Sequence, residues 1–237
     1  MARSFDNLFI GGSWVPAGAA FDDLNPADGT VWARVADGNG GMAVRAIESA
    51  QAAFPQWSGL TYSERAHYML KVADEFERRR DDLVAALQGE GGGWFGKGMF
   101  ESGYVPEVFR AAAAMTYNAI GEVLPSDHGK VSLAMRRAMG VVTVISPWNF
   151  PTLLTARGLA FPIAAGNCVV LKPSEETPYT GGMIFAEIFE AAGVPPGVLN
   201  VVTCSRENVP AVGDVIVEHP LVKGISFTGS TPVGRVI

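Results

Sequence analysis

From residue 141 onwards the chain alternates between short apolar segments rich in β-branched residues and segments of helical length. This alternation predicts strands at 141–146, 168–172, 199–203 and 224–228, and helices at about 152–165, 178–192, 207–218 and from 231 onwards. Strands that are apolar throughout, each followed by a helix, are typical of a parallel sheet covered on both faces. Nucleotides bind at the carboxyl edge of such a sheet, so the polar residues that follow the strands are candidates for a site.

The first 140 residues have a different pattern. Residues 5–36 are short, turn-punctuated segments that predict small strands or an edge hairpin. Helices are predicted over 42–54, over 106–120 and, from a capping box formed by Thr61 and Glu64, over 61–88. Residues 121–140 predict an extended excursion outside the core.

Composition and charge exclude several classes of function. The 237 residues are 48% hydrophobic and 18% charged, which is ordinary for a globular chain with a large core. The net charge of −6 argues against nucleic acid as a partner, which needs clustered Lys and Arg. The basic cluster Arg78–Arg80 precedes two aspartates and predicts a solvated helix face. No apolar run predicts a membrane span or a secretory signal. The two cysteines imply no disulfide framework. We therefore expect both thiols to be free, in a reducing cytoplasm.

Two glycine-rich motifs match phosphate-binding patterns only in part. Gly91-x-Gly93-x-x-Gly96 has the letters of a dinucleotide fingerprint, but it follows a predicted helix and therefore indicates a helix-to-helix connection. Gly229–Gly234 resembles a phosphate loop, but Arg235-Val236 replaces the required Lys and Ser or Thr, which argues against a nucleoside triphosphatase. Its place between a strand and a helix N-terminus is compatible with an anion site or with an ordinary turn.

Two polar motifs lie at strand ends. Lys172 and Glu175 follow the second strand of the alternation, where a carboxylate accepts from a ribose 2′-hydroxyl and repels a 2′-phosphate, favouring NAD over NADP. The alternative is a surface ion pair. In Pro147-Trp148-Asn149-Phe150-Pro151, Asn149 is an uncharged donor suited to a developing oxyanion. The alternative is an Asx turn in which Asn149 bonds its own backbone.

The cysteines and histidines indicate neither a nucleophile nor a metal site. Cys168 begins a buried strand, where a thiol packs as a small hydrophobe. Cys204 follows a strand and could be exposed, but no neighbouring group marks it as activated. His67, His128 and His219 lack the spacing of metal ligands.

Four motifs, in this order and at these separations, together resemble the aldehyde dehydrogenase superfamily: PWNFP at 147–151, GNCVVLKPSE at 166–175, PPGVLNVV at 195–202 and SFTGSTPVG at 226–234. The resemblance implies an α/β fold with a Rossmann-like parallel sheet flanked by helices and a β-hairpin excursion, incomplete relative to the family fold. It also implies a chemistry. A catalytic cysteine attacks the aldehyde to give a thiohemiacetal, hydride passes to NAD(P)⁺, and water activated by a glutamate hydrolyses the thioester.

The resemblance assigns site residues by position. Asn149 falls on the oxyanion-stabilising asparagine, the one catalytic residue assigned. The cofactor set comprises Ile145, Ser146, Pro147 and Trp148 on the adenine side, Lys172, Ser174 and Glu175 at the adenosine ribose, Gly213, and Gly229 and Ser230 at the pyrophosphate, with Phe227 and Val233 beside them. The implied cofactor is NAD, with NADP as the alternative. The implied partners are a small-molecule aldehyde and, in the complete protein, identical subunits in a dimer or tetramer.

The resemblance also implies what these residues lack. Residues 1–120 and 141–237 are expected to form an incomplete NAD-binding domain, and 121–140 part of an oligomerisation β-hairpin. The family's catalytic cysteine, its Glu-Leu-Gly-Gly-Lys segment and its second cofactor-ribose glutamate all follow the FTGST motif, so we expect the catalytic domain to be absent and the chain alone to be inactive. The last element, with Thr231 as N-cap and Pro232 at the first helical position, stops after about one turn and reads as interrupted.

Two departures from the family pattern bear on the substrate. Many members carry a Trp-Lys pair where this chain has Arg157-Gly158, and a Gly-rich loop where it has Cys204-Ser205-Arg206-Glu207. Both departures are similar to the branch that acts on aromatic aldehydes such as benzaldehyde or vanillin.

Three functions stay open at this point. The chain is the front part of an NAD-dependent aldehyde dehydrogenase, or a short module that binds nucleotide or pairs with full-length subunits without catalysis, or an inert fragment. We favour the first, because nothing in residues 1–237 contradicts a catalytic ancestor. The intact mass of the protein and the DNA downstream of the Ile237 codon would separate these alternatives.

Overall fold

The computed structural model describes residues 3–237. Its strands are β1 (Arg3–Phe5), β2 (Asn7–Ile10), β3 (Ser13–Pro16), β4 (Ala20–Leu24), β5 (Val31–Ala36), β6 (Gly121–Leu124), β7 (Ser132–Met135), β8 (Val141–Ile145), β9 (Cys168–Lys172), β10 (Leu199–Val201) and β11 (Val222–Phe227). Its helices are α1 (Gly40–Gly59), α2 (Tyr62–Arg78), α3 (Arg80–Gly89), α4 (Phe95–Met115), α5 (Pro151–Ala164), α6 (Ile184–Ala191), α7 (Val209–Glu218) and α8 (Thr231–Gly234). A π-helical turn, Tyr179–Met183, leads into α6.

The predicted βα alternation forms the central sheet, which confirms the α/β class. Its strands have the order β11-β8-β9-β10-β2-β3, and the first four are parallel. The β2–β3 hairpin adds two antiparallel strands beyond β10. Because the chain runs from β8 to β9 to β10 and then returns to the other side of β8, the strand order reverses between β8 and β11. Open α/β sheets have their ligand crevice at such a reversal.

Both faces of the parallel strands are covered, as their apolar sequences predict. Every residue of β9 is buried, and β8 is buried except at Ile145. Helix α1 packs on β9 and β10, and α7 packs beside α1 and on β11, whereas α5 contacts β8 and β9 and α6 contacts β10. Right-handed crossovers place α5 and α6 on one face and α7 on the other, since the return to β11 runs in the opposite direction.

In the N-terminal half, the predicted types of secondary structure are present, but the helix boundaries differ from those predicted. The predicted small strands are present, and β1, β5 and β4 form a separate three-stranded sheet. The single helix predicted over 61–88 is wrong, because it breaks into α2 and α3 at Arg79. The Arg79 guanidinium binds the Glu187 carboxylate at 2.6 Å and the Tyr179 hydroxyl at 3.1 Å. Arg79 therefore packs against other elements, which contradicts the prediction that it lies on a solvated face. The helix predicted over 106–120 is α4, which starts at Phe95.

Residues 121–140 leave the body of the fold as predicted. Strands β6 and β7 pair only with each other among the described residues. Their apolar side chains are exposed, to 77% at Val123 and 58% at Leu133. At the other end of the chain, α8 is a single exposed turn whose N-cap is Ser230 rather than the predicted Thr231. None of the helices in residues 3–237 has the length and hydropathy needed to cross a membrane.

Candidate functional site

A cleft of about 490 Å³ lies at the reversal of strand order. The parallel register sets Phe227 of β11 opposite Ile145 of β8, and Ile145 opposite Lys172 of β9, so three strands end at the same level. The cleft lies at these carboxyl ends and is closed on one side by α7. The structure therefore forms a crevice where the sheet topology requires one.

The cleft brings together all twelve residues that the sequence assigns to a cofactor. These are Ile145, Ser146, Pro147, Trp148, Lys172, Ser174, Glu175, Gly213, Phe227, Gly229, Ser230 and Val233. They come from four separate segments of the chain, 145–148, 172–175, 213 and 227–233. Their assignment to adenine, ribose and pyrophosphate contacts stays a prediction.

The Lys172–Glu175 pair is built into the cleft rather than solvated on the surface. Lys172 is 6% exposed, and its Nζ lies 3.6 Å from Oε2 of Glu175. Burial raises the pKa of Glu175, but a backbone N–H and the charges of Lys172 and Arg206 outweigh it and hold that pKa below its ordinary value. Glu175 is thus an ionised acceptor beside the cleft.

Two local features test whether the cleft suits a dinucleotide. The Ser146 hydroxyl is buried in the cleft wall and has no hydrogen-bond partner among the described residues, which leaves it free for a ligand. Gly213 lines the cleft on α7, and a Cβ built there would meet no protein atom within 4 Å. An unpaired buried hydroxyl and open space beside a glycine both fit NAD.

The cleft also includes residues of α7 that sequence reasoning did not name. Pro210, Ile216 and Val217 lie about one turn before or after Gly213 and line the same wall. Residues three or four positions from Gly213 lie on the same face of a helix, so this spacing could have identified them from the sequence.

Asn149 lies next to the cleft but does not line it. Its neighbour Trp148 is 61% exposed and lines the cleft, while Phe150 belongs to an exposed aromatic cluster with Phe100 and Tyr104. The Asn149 side chain is exposed and makes no hydrogen bond within residues 3–237, so the alternative Asx turn is not formed. Its amide is available to a ligand between cleft and cluster.

A buried ion pair that sequence reasoning missed supports the turn that carries Asn149. Glu101 is fully buried on α4, and its Oε2 accepts from the Leu153 N–H at 3.1 Å, in the first turn of α5. Its Oε1 accepts from Lys97 at 2.6 Å, and Lys97 Nζ lies 5.0 Å from the centre of the Phe150 ring. Helix α5 has no side-chain cap of its own, so Glu101 takes that role from another helix.

Neither cysteine has the properties of a nucleophile. Both are buried, so Cys204 does not have the exposure that its position after a strand allowed. Burial raises the pKa of Cys168 to about 12 and that of Cys204 to about 11. A thiol with such a pKa has almost no thiolate near neutrality.

Comparison with known proteins gives a consistent result. The family model described as the aldehyde dehydrogenase family matches residues 14–237. A vanillin dehydrogenase from a Pseudomonas species is 40% identical over 97% of this chain and 48% of its own length. The mitochondrial succinate-semialdehyde dehydrogenase of Rattus norvegicus is 36% identical over 97% of this chain and 44% of its own length.

A solved structure agrees with both relatives. The NAD-dependent benzaldehyde dehydrogenase from Corynebacterium glutamicum superimposes with a TM-score of 0.92 at 38% identity, covering 98% of this chain and 49% of that protein. The chain therefore spans about half the length of the relatives it matches. With the family match covering nearly all of its residues, the chain belongs to the aldehyde dehydrogenase family.

Proposed function

We propose that this chain supplies the NAD-binding part of an enzyme that oxidises an aldehyde to a carboxylic acid through a cysteine thiohemiacetal and thioester. One observation carries the proposal. The twelve residues predicted to hold the cofactor, from four segments of the chain, line one cleft at the reversal of strand order. Because both of its thiols are buried, the proposal places the nucleophile outside this chain, and with it the general base that the family resemblance implies.

The cleft residues have distinct roles in the proposal. Ile145 to Trp148 hold the adenine, and Lys172 and Glu175 bind the hydroxyls of its ribose. When bound, NAD supplies the acceptor for a hydride. Asn149 donates its exposed amide N–H to the substrate oxygen, where negative charge develops.

The proposed substrate is an aromatic aldehyde. Phe100 and Tyr104 have ring centres 5.1 Å apart, and Phe100 lies 6.3 Å from Phe150, which directly follows Asn149. These exposed rings offer an apolar surface on which a benzene ring can stack. The corresponding test is kcat/KM of the complete protein on benzaldehydes and on short aliphatic aldehydes; an aliphatic preference would contradict the proposal.

The exposed β6–β7 hairpin favours a second candidate, a module that pairs with other subunits. Val123 and Leu133 are 77% and 58% exposed on strands that pair only with each other in the described chain, and Val131, just before β7, is 79% exposed. Apolar strands of this kind are typical of interfaces. We assign the hairpin to assembly of a cytoplasmic homo-oligomer, which sedimentation of the complete protein and cell fractionation would test.

Binding of NAD to the 237-residue chain tests the proposed cofactor site. We expect calorimetry to give a weak, micromolar or poorer affinity. The substitution Gly213→Leu should abolish this binding by filling the cleft, without lowering stability, because leucine is a better helix former than glycine. Ala211→Leu, an exposed position on α7 outside the cleft, is the matched control and should bind as the wild type does.

Two outcomes would count against this account. If a folded wild-type chain bound no NAD, or if Gly213→Leu bound it normally, the cleft would not be the cofactor site. Submicromolar affinity would contradict the expectation that part of the cofactor site lies outside this chain.

A further inference from the structure

The π-helical turn Tyr179–Met183 packs against the strand end that carries Lys172 and Glu175. All five residues of the turn are buried. Turns of this kind insert one extra residue into a helix and are frequent at functional sites. The five residues lie outside the lining of the cleft. Any effect of this turn on a bound ligand must therefore pass through the strand end.

Hydrogen bonds to two other elements hold the π-helical turn in place. Two backbone N–H groups of the turn donate to the buried carboxylate of Glu90 at 2.6 and 2.8 Å. On α5, the Thr152 hydroxyl donates to the Thr180 carbonyl at 2.8 Å, and the Thr155 hydroxyl donates to the next carbonyl at 2.9 Å. All four bonds are buried, so breaking any of them leaves a polar group without a partner. The turn is therefore difficult to displace.

Gly182 is the point at which the π-helical turn meets the strand end. A Cβ built on Gly182 would lie 2.6 Å from Cγ and 3.1 Å from Cβ of Pro173. Carbon atoms in contact lie about 3.5 to 4.0 Å apart, so a side chain at this position would overlap the proline ring. Pro173 is itself buried and lies between Lys172 and Ser174, which both line the cleft. Gly182 thus leaves the room that Pro173 occupies.

A side chain at position 182 would displace Pro173 rather than the turn. Proline has no N–H with which to bond to a neighbouring strand, and Pro173 follows the last residue of β9. The π-helical turn, in contrast, is held from two sides. The displacement would be about 1 Å, the difference between 2.6 Å and an ordinary contact. Because Pro173 is bonded to Lys172 and Ser174, these residues would move with it.

We propose that Gly182 is a positioning residue for the cofactor cleft. The space that it leaves determines where Pro173 lies, and Pro173 determines where Lys172 and Glu175 meet the ligand. This inference rests on the proposed function, because it requires that the cleft bind NAD through Lys172 and Glu175. It assigns a role in NAD binding to a buried residue that does not touch NAD.

Two neighbouring glycines allow a matched test on the 237-residue chain. Gly182→Ala should weaken NAD binding about tenfold in calorimetry, because a shift of about 1 Å spoils the geometry of the hydrogen bonds to the ligand. Gly181→Ala is the control, since a Cβ there would lie 3.4 Å from Pro173 and 3.5 Å from Pro151, which are ordinary contacts. This control should bind NAD as the wild type does. Ile188→Ala, at a buried position of α6, should lower the melting temperature but leave the affinity of the folded chain unchanged.

Removal of the proline ring gives the reciprocal test. In the double variant Gly182→Ala/Pro173→Ala, the Cγ and Cδ atoms that the new side chain would meet are absent. The double variant should therefore bind NAD more tightly than the product of the two single effects predicts. A general loss of packing would change the melting temperature without producing this coupling in NAD affinity.

The alternative outcomes separate this inference from the proposed function. If the folded wild type binds NAD and Gly182→Ala binds it equally well, Gly182 does not position the cleft. The inference is also overturned if Gly181→Ala weakens NAD to the same extent, or if the effects of Gly182→Ala and Pro173→Ala are independent. In each of these cases the cofactor site stands. If the folded wild type binds no NAD, the cofactor site itself is wrong and the inference falls with it.

Discussion

At the scale of single residues, the least expected feature is a pair of buried carboxyl groups. Asp23 on β4 is 2% exposed and Glu90, after α3, is 1% exposed. Glu90 accepts from the backbone N–H groups of Tyr179 and Thr180 at 2.6 and 2.8 Å, so it has the donors that an ionised carboxylate needs. Asp23 Oδ2 has no partner among the described residues unless it carries a proton and donates it to Glu90.

The surroundings of Asp23 agree with that assignment. Burial, together with the negative charges of Glu90 and Glu176, raises the pKa of Asp23 to about 9, from an ordinary value of 3.8. The folded chain therefore holds a proton that the unfolded chain releases above about pH 4. Since the folded state binds more protons, the free energy of unfolding falls as pH rises from about 4 towards about 9.

The substitution Asp23→Asn should weaken this pH dependence and leave only the part due to Glu90, because burial also raises the pKa of Glu90, to about 7. An Asn side chain donates an N–H to Glu90 as the protonated acid does, but it does not titrate. Between pH 6 and 8.5, urea unfolding should show the wild type losing stability relative to the variant, by at most about 1.4 kcal/mol per pH unit. Asp22→Asn, at the exposed neighbouring position, is the control and should follow the wild type. Parallel pH profiles for Asp23→Asn and wild type would show that Asp23 is ionised in the folded chain.

At the scale of secondary-structure elements, the start of α5 depends on a residue of α4. The Leu153 N–H would be unpaired without Glu101, because the first turn of α5 has no side-chain cap of its own. The same carboxylate binds Lys97, which lies over Phe150 in the turn that carries Asn149. Side chains of α4, and not residues of the turn itself, therefore hold this turn in position.

Removing the Glu101 carboxylate should loosen this junction. Glu101→Ala leaves a buried N–H and a partly buried Lys97 without a partner, which should cost about 3 kcal/mol of unfolding free energy. Hydrogen exchange should speed up at Leu153 and its neighbours more than elsewhere. Glu107→Ala on the exposed face of α4 also breaks an arginine pair, and should have little effect. Equal effects of the two substitutions would mean that Glu101 does not hold α5.

These elements also show which parts of the fold the sequence determines locally. Lys172 and Glu175 were predictable from the local pattern because they follow an apolar strand, and topology brings strand ends together. Other cleft residues, such as Gly213 on α7, were assigned only through the family resemblance. The break at Arg79 was not predictable, because the segment has no Gly or Pro there and the deciding contact is with Glu187, 108 residues away. The Glu101–Leu153 contact spans 52 residues and leaves no periodic signal. Contacts between distant segments depend on packing that a local pattern does not contain.

At the scale of the whole molecule, the described chain has candidate groups for binding and polarising ligands but no candidate nucleophile. The described chain contains a cleft at the reversal of strand order, an exposed amide at Asn149 and an aromatic surface beside it. Its two thiols belong to the hydrophobic core. Cys168 is buried in β9, and Cys204 is buried after β10. The groups that we propose to bind the cofactor and polarise the substrate are among residues 3–237, whereas neither thiol there has the properties of an attacking thiolate.

The 237-residue chain alone should therefore form no NADH when given NAD and either benzaldehyde or acetaldehyde. In its proposed role Asn149 stabilises an oxyanion, but only a nucleophile creates one, and burial holds the pKa of both thiols at about 11 or above. The measurement is the fluorescence of NADH at saturating NAD. Binding of NAD is confirmed separately, so that a lack of NADH cannot result from a failure to bind NAD. Turnover that disappears in Cys204→Ser or Cys168→Ser would contradict the prediction, since it would make a buried thiol the nucleophile.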